Sequence, residues 1–426
     1  MTGSFYHRIK HYLLNLPLMV WILLGFFITF IFFFLKPIFF DPSQAMQFNK
    51  YILTITPIGD DFREIVSYSS DWIQTGAVPA ILYPSFTLLF FTPFTFLGPE
   101  TGYAIITLII LACYILITLI LPKKINKSRD ISSFAMLILV TGIFSYGLQF
   151  ELERGQWNVI AIAFCLTAIY IFFNHPRYRW LAYLIFSISV QLKLFPAIFV
   201  FVLIEDWSDW KNNIKRVAGL GMLNLLALFI FGLNPILNTI RSTVGIKSFN
   251  SGRPFNLSIT SFSIFLLSSN ILPRKRIVLW LLANNWVLQL FFFAFLGFCF
   301  LIIFRQTYMK KLKGFNPYIF LACSIGACVI PSISFDYKLS MLPACIAISI
   351  PGILSFKKTE NSLLNILLAF IFSLAYSSTL YSYTNKPEIL QNDFPALLII
   401  LAICTVLSCM KPGTLSDPAS IATIDS

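Results

Sequence analysis

Asp60 and Asp61 stand side by side in GDDFREIVSYSSDWIQTG, residues 59–76, with Glu64 and Asp71 close behind. The whole chain of 426 residues holds only 18 Asp plus Glu. A second polar stretch, ELERGQWN, supplies Glu151, Glu153, Arg154, Gln156 and Asn158. Lys193 follows inside the apolar QLKLFPAIF, and Arg253, Asn256, Arg274, Lys275, Arg276, Asp336 and Tyr337 come later. A carboxylate can take a proton from a hydroxyl. Arg and Lys can clamp a phosphate leaving group and stabilise the charge developing on it. If the fold gathers these groups, the site could deprotonate an acceptor and release a phosphate. A structural role competes at each position: Asp60 and Asp61 can cap a helix N-terminus, and Glu151 to Asn158 can form a hydrogen-bonded helix end.

The elements that must gather them are membrane helices. Hydrophobic residues make up 58% of the chain and charged residues 12%, about half the charged share of a soluble domain. Runs such as LPLMVWILLGFFITFIFFFL and VLQLFFFAFLGFCFLIIF reach the roughly 20 residues that span a bilayer as a helix. The first run is too long for a signal-peptide core and lacks a small-residue cleavage site after it, so it is read as retained. The alternation of an outer-membrane barrel is absent. The net charge of +13 sits mostly in short loops, as the positive-inside bias requires, so no nucleic-acid partner is expected.

That bias sets the expected topology: one integral membrane domain over 1–426, with a cytoplasmic N-terminus at 1–17, a first outer loop with interfacial helices at 41–100, and a cytoplasmic tail at 411–426. PKKINKSRD, NHPRYRW, DWKNNIKR, RQTYMKKLKG and SFKKTEN are placed inside. The acidic loop, ELERGQWN and PSISFDYK are placed outside. Only one full crossing, Thr101 to Leu121, then fits between the acidic loop and PKKINKSRD, so Tyr83–Leu97 lies in or re-enters the outer leaflet. LAYLIFSISVQLKLFPAIFVFVLIE starts and ends inside, so it reads as two short helices meeting near Lys193 and Pro196. The fold class expected is an all-α polytopic membrane protein of about twelve transmembrane or half-spanning helices.

With this topology the outer face holds a mixed acidic and basic site. Its chemistry suits glycosyl transfer from a lipid-linked sugar phosphate better than from a soluble nucleotide sugar, and no GxxxxGK loop is present. His7, His11 and His175 all fall beside basic loops, which argues against a histidine base or histidine-held metal outside. All eight cysteines lie in apolar runs without a CxxC pair and read as small hydrophobes. Lys193 is the least easily dismissed charge, since an ammonium at mid-membrane costs on the order of 3 kcal/mol even on the lenient insertion scale.

The order of motifs resembles glycosyltransferase family 87, the polyprenyl-phosphate-mannose-dependent mannosyltransferases of the GT-C superfamily. Asp61-Phe62 is similar to the family's Asp-Phe pair, and Tyr83-Pro84-Ser85 to its Tyr-Pro-Pro, with Ser85 in place of the second proline. ERGQWN resembles its Arg-Gly-Gln-x-Asn, QLKLFPAIF its Lys-x-x-Pro, and PSISFDYKLSMLP its later Ser-x-x-Tyr/His stretch. The resemblance implies a GT-C-type fold with a catalytic first extracytoplasmic loop, and an inverting transfer of mannose from a polyprenyl-phosphate donor to a lipid or glycan acceptor. It also implies no cofactor and no metal, and a place in the inner membrane of a bacterium. Asp61 would be the base, with Asp60 an adjacent competitor. Tyr83, Glu153, Arg154, Gln156, Asn158, Lys193, Asn256, Asp336 and Tyr337 would bind substrate. Two other classes stay open on the sequence: a transporter or flippase of a lipid-linked sugar, which should show opposed repeats, and a surface-polysaccharide polymerase or ligase, which usually has a larger late outer loop.

Overall fold

The computed structural model describes residues 59–79, 81–126, 145–238, 256–268, 276–355 and 392–410, with the scattered positions 20, 27, 136, 138, 139, 142, 143 and 241. Helices dominate. In chain order they are α1 (Asp60–Thr75), α2 (Phe86–Phe91), α3 (Pro99–Ile115), α4 (Tyr146–Arg154), α5 (Asn158–Asn174), α6 (Arg179–Leu192), α7 (Trp210–Leu228), α8 (Ile259–Ser268), α9 (Arg276–Ala283), α10 (Asn285–Met309), α11 (Pro317–Val329), α12 (Leu342–Ser355) and α13 (Phe394–Cys409). A π-helical turn at Leu116–Ile120 carries α3 into Leu121–Asn126. Among the described residues there is no β-strand, only the isolated bridges Asp206–Lys313 and Asn256–Phe335.

Three helical stretches are long and apolar enough to cross a membrane: Pro99–Ile125, Trp210–Phe231 and Asn285–Met309. The pair α4 and α5, bent by 115°, makes a fourth if counted as one span. The about twelve expected spans are therefore seen only in part. Nearly all of the first span, part of the third and the stretch 356–391 lie outside the described residues. Elsewhere apolar runs are broken into shorter pieces. Phe86–Phe96 is one, with α2 passing into a 3-10 turn at Thr92–Phe96 that carries Pro93. The sequence 179–203 is another: α6 ends at Lys193, whose backbone is extended, and a 3-10 helix runs over Phe195–Leu203. Pro196 lacks an N–H and cannot continue an α-helix hydrogen-bond ladder, so the two pieces meet where the sequence reading put them.

Both ends of α6 matter. Near its start, Arg179 pairs with Glu205 at 2.6 Å. There Lys313 also pairs with Asp206 at 3.1 Å, and the Gly314 amide donates to the Glu205 carbonyl. At its other end lies Lys193. Fourteen residues of α-helix separate the two ends by roughly 20 Å. Three of the loops expected inside, around Arg179, Asp206 and Lys313, thus meet at one end of α6, and Lys193 lies at the other with Gln156 and Asp61.

The ELER segment is the last part of helix α4 rather than an open loop. Gly155 stops it in the left-handed region, φ 66°, its amide bonding back to Glu151 and Leu152 carbonyls. This is the usual helix stop at a glycine. The next helix begins at Asn158, so Gly155, Gln156 and Trp157 make the corner.

Candidate active site

Helix α1 brings the acidic stretch to that corner. Its buried residues Phe62, Ile65 and Ser69 fall on one face, at the spacing of an amphipathic helix. The carboxylates Asp60 and Asp61 sit in its first turn, where the helix dipole favours negative charge. Two contacts set the register against α4. The Gly59 amide donates to the Glu153 carbonyl at 2.7 Å. Gly155 lies so close to α1 that a Cβ there would stand 2.7 Å from the Phe62 Cβ.

The consequence is a five-residue network. Arg154 grips Asp61 with both ends of its fork, Nε to Oδ2 at 3.1 Å and NH2 to Oδ1 at 2.5 Å. Gln156 Nε2 donates to Asp61 Oδ2 at 2.5 Å and to the Tyr83 hydroxyl at 3.3 Å. Lys193 Nζ donates to Gln156 Oε1 at 2.5 Å. The ammonium sits 4.0 Å from the ring centres of both Tyr83 and Trp157. Such cation–π contacts are worth about 0.5–2 kcal/mol each depending on desolvation. The Trp157 indole N–H donates to the Leu192 carbonyl at 3.2 Å, which ties the corner to the end of α6. Burial first, then the Asp61 charge, holds the Tyr83 phenol above its ordinary pKa, so it keeps its proton.

Asp61 is the inner carboxylate, 14% exposed; Asp60 is at the rim, 38% exposed, with one Arg154 contact at 3.2 Å. A carboxylate has about four acceptor positions. Arg154 and Gln156 fill three on Asp61, leaving one position open on Oδ1. Glu64 accepts from the Tyr68 hydroxyl at 2.7 Å, which pushes that phenol up to about 12. Asp71 lies exposed farther along α1.

The other expected residues divide. Tyr337 is buried on the inner side, close enough to feel the charges of Asp61 and Arg154, and its ring leans on Phe150. Glu153 contributes its main-chain carbonyl to the α1 contact. Asn158 is fully buried, and its side-chain amide has no hydrogen-bond partner among the described residues. Asn256 and Asp336 belong to an adjoining cluster. Asn256 Oδ1 accepts from the Ser258 and Ser334 amides, and its carbonyl accepts from Asn392. Asp336 is buried against the Tyr146 hydroxyl and Asp393. Arg276 starts α9, and Arg253, Arg274 and Lys275 lie outside the described residues.

Trp157 and Lys338 were not singled out from sequence, whereas Glu151 was named with the ELERGQWN stretch. Trp157 floors Lys193. Glu151 is fully buried, accepting from the Val159 amide at 2.7 Å and from the Ser340 hydroxyl. It thus pins the α4–α5 corner to the 3-10 helix Asp336–Met341. Lys338, on that same 3-10 helix, is buried at the same end. Lys338 ends the polar stretch PSISFDYK, two residues after Asp336, so no apolar flank on both sides marks it out as it does Lys193.

No curated protein matches this chain. The family model for glycosyltransferase family 87 matches residues 81–327. The matched stretch carries Tyr83, Arg154, Gln156 and Lys193, and it begins after Asp61. Covering more than half of the sequence, the match shows that this membrane protein belongs to glycosyltransferase family 87.

Proposed function

We propose that the protein transfers a sugar, mannose in the first instance, from a polyprenyl-phosphate donor to a lipid or glycan hydroxyl, with inversion. The site would face the extracytoplasmic side of a bacterial inner membrane, in a GT-C-type fold. The observation that carries this reading is the Asp61 carboxylate, oriented by Arg154 and Gln156 with one acceptor position open. In the step proposed, the acceptor oxygen bonds to the anomeric carbon while its proton passes to Asp61. The bond between the anomeric carbon and the phosphate oxygen breaks, and its electron pair leaves on the phosphate. Arg154 and Lys193 are the cations nearest that phosphate. The buried amide of Asn158, without a hydrogen-bond partner among the described residues, is suited to a sugar hydroxyl. The residues of the site supply a base and cations without a cofactor.

The test is transfer by the purified chain from synthetic polyprenyl-phosphate sugars, with three substitutions compared. A positioned base is worth roughly 100- to 10,000-fold in rate. Asp61→Asn should lose that much with donor binding kept, Asp60→Asn less, and Asp71→Asn almost nothing. A transporter or flippase would give no glycosidic product from the wild type. If Asp60→Asn abolished transfer and Asp61→Asn did not, the base would be Asp60. If neither mattered, this assignment of the base would be wrong.

A further inference from the structure

Lys338 is a buried cation with little to hold it. It is 6% exposed, the same as Lys193. Among the described residues its Nζ makes one hydrogen bond, to the Ile333 carbonyl at 3.3 Å. Among the described residues no carboxylate stands within ion-pairing distance of it. An ammonium has three donors, so two are unspent. Burying an ammonium without a counterion is costly, so a buried one with donors to spare is suited to an anion.

Its position relates it to the site. Nζ lies 5.3 Å from the centre of the Phe195 ring, two residues beyond Lys193. On the same 3-10 helix Ser340 donates to Glu151, which anchors that helix to the α4–α5 corner. Arg154 is taken up by Asp60 and Asp61. Among the described residues Lys193 and Lys338 are the buried cations, and neither has a carboxylate ion-paired to it.

We propose that Lys338 is a second phosphate-binding cation, and that with Lys193 it receives the polyprenyl phosphate as it leaves. This deepens, and rests on, the reading of the site as a polyprenyl-phosphate-dependent glycosyltransferase. A sugar phosphodiester carries one negative charge. Once the bond to the anomeric carbon breaks, the leaving group is a phosphate monoester with a second pKa near 6, so it holds nearly two charges at neutral pH. The extra charge appears in the transition state. A cation placed for it raises kcat more than it tightens donor binding.

The experiment compares two ligands on the purified full-length protein in lipid nanodiscs: polyprenyl phosphate, and its methyl ester, which cannot carry a second charge. The wild type should bind the dianion about tenfold more tightly. Lys338→Met should abolish that preference and lower kcat about 100-fold, with donor KM within about threefold of wild type. Lys338→Arg should restore most of both. Equal affinity of the wild type for the two ligands overturns the proposal without any variant. So does a Lys338→Met enzyme that keeps the dianion preference, or one whose loss is confined to KM. Absence of glycosidic product from the wild type with every donor would instead sink the transferase reading itself.

Discussion

Lys193 donates to the Gln156 side-chain oxygen at 2.5 Å, and the nitrogen of the same amide donates to Asp61 at 2.5 Å. Lysine can only donate and an ionised carboxylate can only accept. Each end of the Gln156 amide therefore dictates the other, and the lysine orients Asp61 through one intermediate. Gln156→Leu removes both links. A hydrogen bond to a charged group is worth about 1.5–3 kcal/mol, so transfer should fall roughly 10- to 150-fold. Lys193→Met should fall by a similar factor, with weaker donor use and normal folding. The double substitution should lose much less than the product of the two, as coupled positions do. Steady-state kinetics on the four enzymes settles it; independent, multiplicative losses would mean that Lys193 does not act through Gln156.

Arg154 binds Asp61 through two different nitrogens. That parallel geometry belongs to guanidinium, and an ammonium cannot copy it. Arg154→Lys keeps the charge but frees the carboxylate to rotate. Activity should drop at least tenfold while thermal unfolding barely moves, because the Asp61–Arg154 pair is partly exposed and such pairs contribute little to stability. A fully active lysine variant would reduce the role of Arg154 to charge alone.

Much of this site could be read from sequence because polar residues are scarce in so apolar a chain. Tyr83, Arg154, Gln156 and Lys193 announce themselves by type and spacing, and RGQ reads as a helix stop. The difference between Asp60 and Asp61 could not be read with the same assurance. One step along a helix rotates a side chain by about 100°, and the packing of Phe62 beneath Gly155 sets which carboxylate Arg154 grips with two nitrogens. Lys338 escaped for a related reason: spacing does not tell which face of a short 3-10 helix points inward. Hydropathy also counts apolar residues without seeing that Pro93 and Pro196 accompany 3-10 turns, so it cannot separate a crossing helix from a broken one.

The convergence of Arg179, Glu205, Asp206 and Lys313 opposite Asp61 implies a specific labelling pattern. In a cysteine-free background, a Cys at Glu64 should react with a membrane-impermeant maleimide applied from outside, and one at Asn126 or Lys313 should not. The basic loops are the motive, through the positive-inside bias. Outside labelling at Asn126 would reverse the assignment of the faces.

Gly155 joins fold to chemistry in a single residue. Its φ of 66° lies in the left-handed region, which costs a residue with a side chain about 1–2 kcal/mol. A methyl group there would also meet the Phe62 Cβ at 2.7 Å and the Gly59 Cα at 3.2 Å. Neither neighbour is the free end of a flexible side chain, so α1 itself must move. Gly155→Ala should therefore lower the unfolding temperature modestly and cut transfer far more, because any shift of α1 carries Asp61 away from Arg154 and Gln156. Misplacing a catalytic group by about 1 Å can cost roughly 100-fold. Activity and melting temperature measured on the same preparation check this. Loss of stability with transfer intact would mean that the close approach of α1 to the corner serves the fold alone.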